Sequence, residues 1–249
     1  MNSYLRNLEK IEFVLTDRCT GRCKHCSQGD HRGGGAVLDA DICCDAVKRI
    51  AGGYNIKTLL VFGGEPLLYP ESVFRIISAA RDANIAKRQV ITNGYFTKDA
   101  EGMRQVAKGL FDAGVNDLLV SVDAFHQETI PISPVFEFVR AAASFGIPTR
   151  LQPAWLGGRE ADNHYNRRTK EILASFSDLN VPTSEGNRVF FEGNAPKYLP
   201  EYFENEVVEN PYREDPCNVK CISFSPNGDV LGGNVYKNNI LDLIRQYVP

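Results

Sequence analysis

The chain has 249 residues, 43% hydrophobic and 24% charged, with a formal net charge of −3 and a pI near 5.9. That length supports one or two domains with a well-buried core, and the slight acidity argues against nucleic acid or anionic lipid as a partner. No apolar run approaches the roughly 20 residues that span a bilayer, and the start MNSYLRNLEK lacks a signal-peptide core, so a cytoplasmic protein without a membrane role is expected.

In chain order, residues 11–15 read as a strand running straight into a cysteine-bearing loop. A polar, glycine-rich stretch at 29–35 leads to a helix predicted over 39–51. The apolar run TLLVF at 58–62 has the length of a strand buried on both faces. Val73, Ile76, Ile77 and Ala80 then recur at helical spacing. A strand at 89–92, a helix over 98–113, a strand at 117–122 and a helix carrying Val135, Phe138, Val139 and Ala142 continue the alternation. A strand over 149–155, a helix carrying Ile172, Leu173, Phe176 and Leu179, and a weaker sixth strand at 187–191 complete it.

Strands alternating with helices imply βαβ units and a parallel sheet, which right-handed crossovers curl into a full or partial barrel. The last segment breaks the rhythm. Residues 222–224, the turn Ser225-Pro226-Asn227-Gly228 and residues 229–231 read as a hairpin, followed by a short helix over 240–247. The expected fold is therefore α/β, a partial (β/α)6 parallel barrel over 1–195 with a short hairpin/helix cap over 196–249.

The seven cysteines are Cys19, Cys23 and Cys26; Cys43 and Cys44; Cys217 and Cys221. An odd number with three clustered near the start points to metal ligation in a reducing compartment rather than a disulfide framework. Cys19-Thr-Gly-Arg-Cys23-Lys-His-Cys26 has the spacing C-x3-C-x2-C, and soft thiolates suit zinc or iron–sulfur clusters. Structural zinc and ordinary 4Fe–4S clusters take four protein ligands, yet no fourth cysteine lies within the next sixteen residues. Three ligands on a cubane leave one iron open, as a catalytic centre requires. A zinc site completed by His25 or His31 is the competing reading. The position just after the first strand puts the triad at the mouth where α/β sheets place active sites.

Other strand ends also carry polar groups. Gly63-Gly64-Glu65-Pro66 follows the second strand, with glycines that let a ligand approach the main chain. Asn93 ends the third strand, and strand periodicity puts Ser121 and Asp123 of the fourth on one side. Arg150 lies on the fifth strand; its competing role is an outward salt bridge. His126 and Glu128 read as exposed loop residues or substrate contacts, and Trp155 as core packing or pocket wall. Cys43 and Cys44, inside a helix, read as small hydrophobes.

These motifs resemble the radical S-adenosylmethionine (SAM) superfamily over about residues 10 to 193. The resemblance implies a 4Fe–4S cluster on Cys19, Cys23 and Cys26 whose open iron binds the SAM amino and carboxylate groups. Reductive cleavage would then release a 5′-deoxyadenosyl radical. It also implies that His25 sits beside the adenine, that Gly63, Gly64 and Glu65 contact the SAM ammonium, and that Asn93, Ser121, Asp123 and Arg150 meet its ribose or carboxylate. A flavodoxin or ferredoxin-type reductant is implied as a partner. Pro216-Cys217 to Cys221 and the following Ser225-Pro226-Asn227-Gly228 resemble a degenerate SPASM or twitch extension, since Val230 to Val235 contain no further cysteine. That kinship favours a ribosomal peptide as substrate, with a small molecule or a glycyl radical enzyme as alternatives. Outside enzymology, a zinc or iron–sulfur binding module is the rival.

Overall fold

The computed structural model describes residues 2–31, 35–204 and 208–249. Strands β1 (Lys10–Val14), β2 (Thr58–Phe62), β3 (Lys87–Thr92), β4 (Asp117–Ser121) and β5 (Thr149–Gln152) are joined by α1 (Ala40–Ala51), α2 (Pro70–Asp82), α3 (Ala100–Ala113), the short α4 (Ala124–Gln127) and α5 (Ile132–Ser144). Beyond β5 come β6 (Ala154–Trp155), α6 (His164–Ala174), β7 (Asn187–Arg188), α7 (Ala195–Tyr198), β8 (Cys221–Phe224), β9 (Asp229–Val230), β10 (Gly233–Asn234) and α8 (Ile240–Gln246). Side-chain caps start two of the helices: Asp39 accepts from the Asp41 and Ile42 N–H groups, and Asp99 does the same for Glu101 and Gly102.

The main sheet has six parallel strands in the order β5-β4-β3-β2-β1-β8 and does not close. Its strands alternate in character. Ile11, Phe13, Leu59, Val61, Val90, Leu118 and Val120 are almost wholly buried on the face that packs under the helices. The opposite, concave face carries Glu12, Gln89, Ser121 and Gln152 along with Leu60, Ile91 and Leu119. The run TLLVF is thus buried by helices on one side only.

The sixth strand is a correction to the sequence reading. Residues 187–191 do not join the main sheet; only β7 forms there, paired with β6 in a separate two-stranded sheet. The vacant edge of β1 is filled by β8, with Ile222 opposite Ile11 and Phe224 opposite Phe13. Both β8 residues continue the apolar outer face, and the Phe13 and Phe224 rings lie 4.8 Å apart. The segment read as a cap therefore contributes a sheet strand. Its hairpin also shifts: the antiparallel pair is β9 with β10, while residues 225–228 form the turn leading into it.

Candidate active site

The concave face opens into a cleft of about 670 Å³ that reaches from the ends of β1 to β4 down the inner side of the sheet. Such a volume lies within the range of cofactor and ligand sites. Cys19, Cys23 and Cys26 line its upper end.

The cysteine loop is anchored from four directions. Asn93 donates to Thr20 Oγ1 at 3.0 Å and approaches Cys19 Sγ at 3.5 Å. The Arg22 N–H donates to Thr129 Oγ1 at 3.0 Å. His31 Nε2 lies 3.1 Å from Cys26 Sγ while its Nδ1 lies 2.7 Å from the Asp17 carbonyl oxygen. The buried Asn194 donates its amide to the Cys23 carbonyl at 3.0 Å, and its N–H to the Cys26 carbonyl at 2.9 Å. Sequence reasoning missed Asn194, which lies far along the chain with no motif around it. Burial pushes all three thiols above their ordinary range, Cys19 to about 11 and Cys23 well above normal. They are protonated without metal, and a bound metal would displace those protons.

The Gly63-Gly64 turn packs against the entry to this loop. The Gly64 N–H donates to the Thr16 carbonyl and the Glu65 N–H to the Arg18 carbonyl, both at 2.7 Å. Gly63 sits at φ +141°, and a Cβ on Gly64 would fall 2.1 Å from the Arg18 oxygen, so only glycine permits the approach. Glu65 is wholly buried and does not face the cleft. Its carboxylate accepts from the Leu67 N–H at 2.9 Å and from the Thr92 hydroxyl and Asn93 N–H at 2.7 Å. Burial outweighs these bonds and raises its pKa to about 7. The motif carboxylate is thus a strut between strand ends, and the exposed backbone of Gly63 and Gly64 is what meets the cleft.

At the end of β4, Ser121 and Asp123 both border the cleft, but in different states. Ser121 is half-buried, whereas Asp123 is completely buried and caps α4. Asp123 accepts from the His126 N–H, from His126 Nδ1 and from the Ala154 N–H at 2.9, 2.8 and 3.0 Å. Despite a burial penalty, the His126 contacts hold its pKa down at about 2. His25 lies between the rings of Phe125 and His126, at 4.7 and 4.9 Å, with Nδ1 buried and unpartnered. Burial lowers its pKa to about 4, so it is neutral. Ligand atoms of Cys23, His25 and His126 lie within 4.8 Å of one another.

Arg150 is placed differently from the expectation of a SAM carboxylate contact. Its guanidinium grips Asp117 at 2.7 and 2.8 Å, at the N-terminal end of β4 and away from the mouth. The carboxylate, also paired with Lys87 and Gln89, holds it there. Glu128 pairs with Lys24 of the cysteine loop at 3.0 Å, and Trp155 is buried with its indole N–H on the Glu185 carbonyl. Cys43 is a core residue of α1, and Cys44 is half-buried beside it. Cys221 starts β8 opposite Lys10, at the end of the sheet remote from the triad. Among the described residues the cleft therefore offers three thiols and no fourth, a donor set that fits a cluster with one open iron.

The family profile described as the Radical SAM superfamily matches residues 13–204. GTP 3′,8-cyclase of Tolumonas auensis is 29% identical over 126 residues, covering 49% of this chain and 35% of that protein. The probable GTP 3′,8-cyclase of Sulfolobus acidocaldarius is 31% identical over 156 residues, covering 59% and 47%. The chain thus matches about a third to a half of these relatives' length. The crystal structure of Streptococcus suis SuiB bound to S-adenosylmethionine aligns with a TM-score of 0.61 at 12% identity, over 96% of this chain and 66% of that one. SuiB bound to its precursor peptide SuiA aligns with the same TM-score at 13% identity, over 97% and 67%. At such identities the likeness shows the fold.

Proposed function

The chain belongs to the radical SAM superfamily, and from that premise we propose that it holds a 4Fe–4S cluster on Cys19, Cys23 and Cys26 and cleaves SAM reductively to modify a polar substrate. A cluster bound there would supply the electron that breaks the SAM C–S bond, releasing the 5′-deoxyadenosyl radical that abstracts a substrate hydrogen. The three cysteines hold the cluster, and the Gly63 and Gly64 backbone and the Ser121 hydroxyl face SAM. A flavodoxin or ferredoxin-type protein would deliver the electron. The observation that carries this reading is the convergence of three thiols and the Gly63-Gly64 backbone on one cleft of about 670 Å³.

The lower cleft narrows the substrate. Its cation Lys10 is paired with Glu12 at 2.5 Å, and Glu192 adds a further carboxylate on a wall that also carries Arg188. That balance suits a substrate recognised through hydrogen bonds and lacks the cationic surplus a triphosphate needs. A peptide fits it first and a small polar molecule second, while the GTP of the cyclase relatives fits poorly.

The test is anaerobic reconstitution, followed by incubation of reduced protein with SAM beside a Cys23→Ala control. About four irons per chain and 5′-deoxyadenosine from wild type alone would support the reading. One zinc with no iron, or an intact cluster that never cleaves SAM, would overturn it. Cyclisation of GTP by the reconstituted protein would overturn the substrate class alone.

A further inference from the structure

We propose that Tyr165 of α6 is a positioning residue for the cluster. It fixes Lys24 and His25, the residues between the second and third thiols, and so holds Cys23 and Cys26 at the spacing the metal needs. This rests on the function proposed above and deepens it, by giving a helix distant in sequence a part in cluster retention.

Asn93, His31 and Asn194 hold the cysteine loop at its thiols and at the Cys23 and Cys26 carbonyls. Between those carbonyls, Lys24 and His25 make no main-chain hydrogen bond among the described residues. Their side chains must hold them, and Tyr165 serves both. Its hydroxyl accepts a hydrogen bond from Lys24 Nζ at 3.2 Å, and the same ammonium lies 5.7 Å from the centre of its ring. That ring stacks on Phe125 at 4.2 Å, with 18° between the planes, and Phe125 lies 4.7 Å from the ring of His25. Phe125 is wholly buried, so it passes a shift of the tyrosine on to the histidine.

Lys24 also pairs with Glu128 at 3.0 Å, but both side chains are partly exposed, and a pair of that kind holds a loop weakly. Tyr165, only 6% exposed, is the buried member of the set. Its helix is itself firmly seated. Asn163 caps the start of α6 through the Asn166 N–H, and the buried Asn166 amide donates to the Leu156, Gly158 and Ala161 carbonyls at 3.0, 2.8 and 2.9 Å. One turn on, Thr169 Oγ1 accepts from the Ala124 N–H at 3.0 Å, which ties α6 to the start of α4 beside Phe125.

Iron loss from reconstituted holoenzyme to the ferrous chelator bathophenanthroline tests the assignment, with melting temperature measured in parallel. Tyr165→Leu removes both the hydroxyl and the stacked ring and should release iron several-fold faster than wild type. Folded Tyr165→Leu protein that takes up no iron would support the assignment equally. Tyr165→Phe keeps the stack and loses only the Lys24 bond, so its rate should fall between the two. Phe176→Leu controls for stability alone: that ring, 1% exposed, sits just past the end of α6 against Phe136. It should lower the melting temperature and leave iron release at the wild-type rate. A wild-type rate in Tyr165→Leu would overturn the assignment, as would release rates that simply follow melting temperature across the three variants. A wild type that assembles no iron cluster would instead sink the function on which the assignment rests, and the assignment with it.

Discussion

Asn93 is suspended from Glu65: its backbone N–H donates to Glu65 Oε2 at 2.7 Å, while Glu65 Oε1 takes the hydroxyl of Thr92 at the same distance. The side chain of Asn93 then reaches Thr20 and Cys19. A buried carboxylate after β2 thus sets the turn after β3, and that turn steadies the loop after β1.

Removing the strut should loosen all three turns. Glu65→Ala leaves the Leu67 N–H, the Thr92 hydroxyl and the Asn93 N–H without their acceptor in a buried setting. A stability loss of about 2–4 kcal/mol follows from such unmet donors, together with weaker SAM retention. Thermal unfolding and SAM dialysis measure the two effects.

The same residue sets a pH dependence. Its pKa rises from 4.5 to about 7 on folding because burial disfavours the charge. Folding therefore takes up a proton, and the associated stability is present below pH 4.5 and lost as pH rises through 7. Wild type should lose on the order of 3 kcal/mol relative to Glu65→Gln across that window. Parallel denaturant titrations of cluster-free protein check it, and identical pH slopes would contradict it.

Gly193 closes the cysteine loop from the far end of the chain. It sits at φ +60°, and a Cβ there would lie 2.2 Å from the Cys26 carbonyl oxygen. Gly193→Ala should push the Asn194 anchor away and lower iron incorporation several-fold, with the helices intact by circular dichroism.

Arg150 separates stability from cofactor binding. Arg150→Met leaves the nearly buried Asp117 with Lys87 and Gln89 alone. A destabilisation of about 1–2 kcal/mol is expected from this part-exposed pair, with SAM affinity unchanged. A marked fall in SAM affinity would restore the arginine to the cofactor site.

The C-terminal strand belongs to the core. Phe224 is wholly buried against Phe13, so Phe224→Ala should cost about 3–5 kcal/mol, measured by chemical denaturation.

The alternation of elements and the thiol triad were legible without the fold, because both are local. Apolar spacing at 58–62 or 135–142 reports a strand or a helix face without reference to the rest of the chain. Three cysteines within eight residues declare a shared ligand wherever the loop goes. The placement of Gly63, Gly64, Ser121 and Asp123 around one mouth followed from strand direction alone. Features that depend on partners distant in sequence emerged only on folding. Residues 187–191 and 221–224 are both short and apolar, and only the exposed edge of β1 selects between them as sixth strand. Likewise, Glu65, Asp123 and Arg150 each carry a charge that a ligand or the protein could neutralise. Their neighbours Thr92, Asn93, His126, Ala154 and Asp117 claim that charge inside the fold. An acidic or basic side chain near a strand end reveals its chemistry in the sequence; whether its hydrogen-bonding capacity remains free for a ligand is fixed by what packs around it.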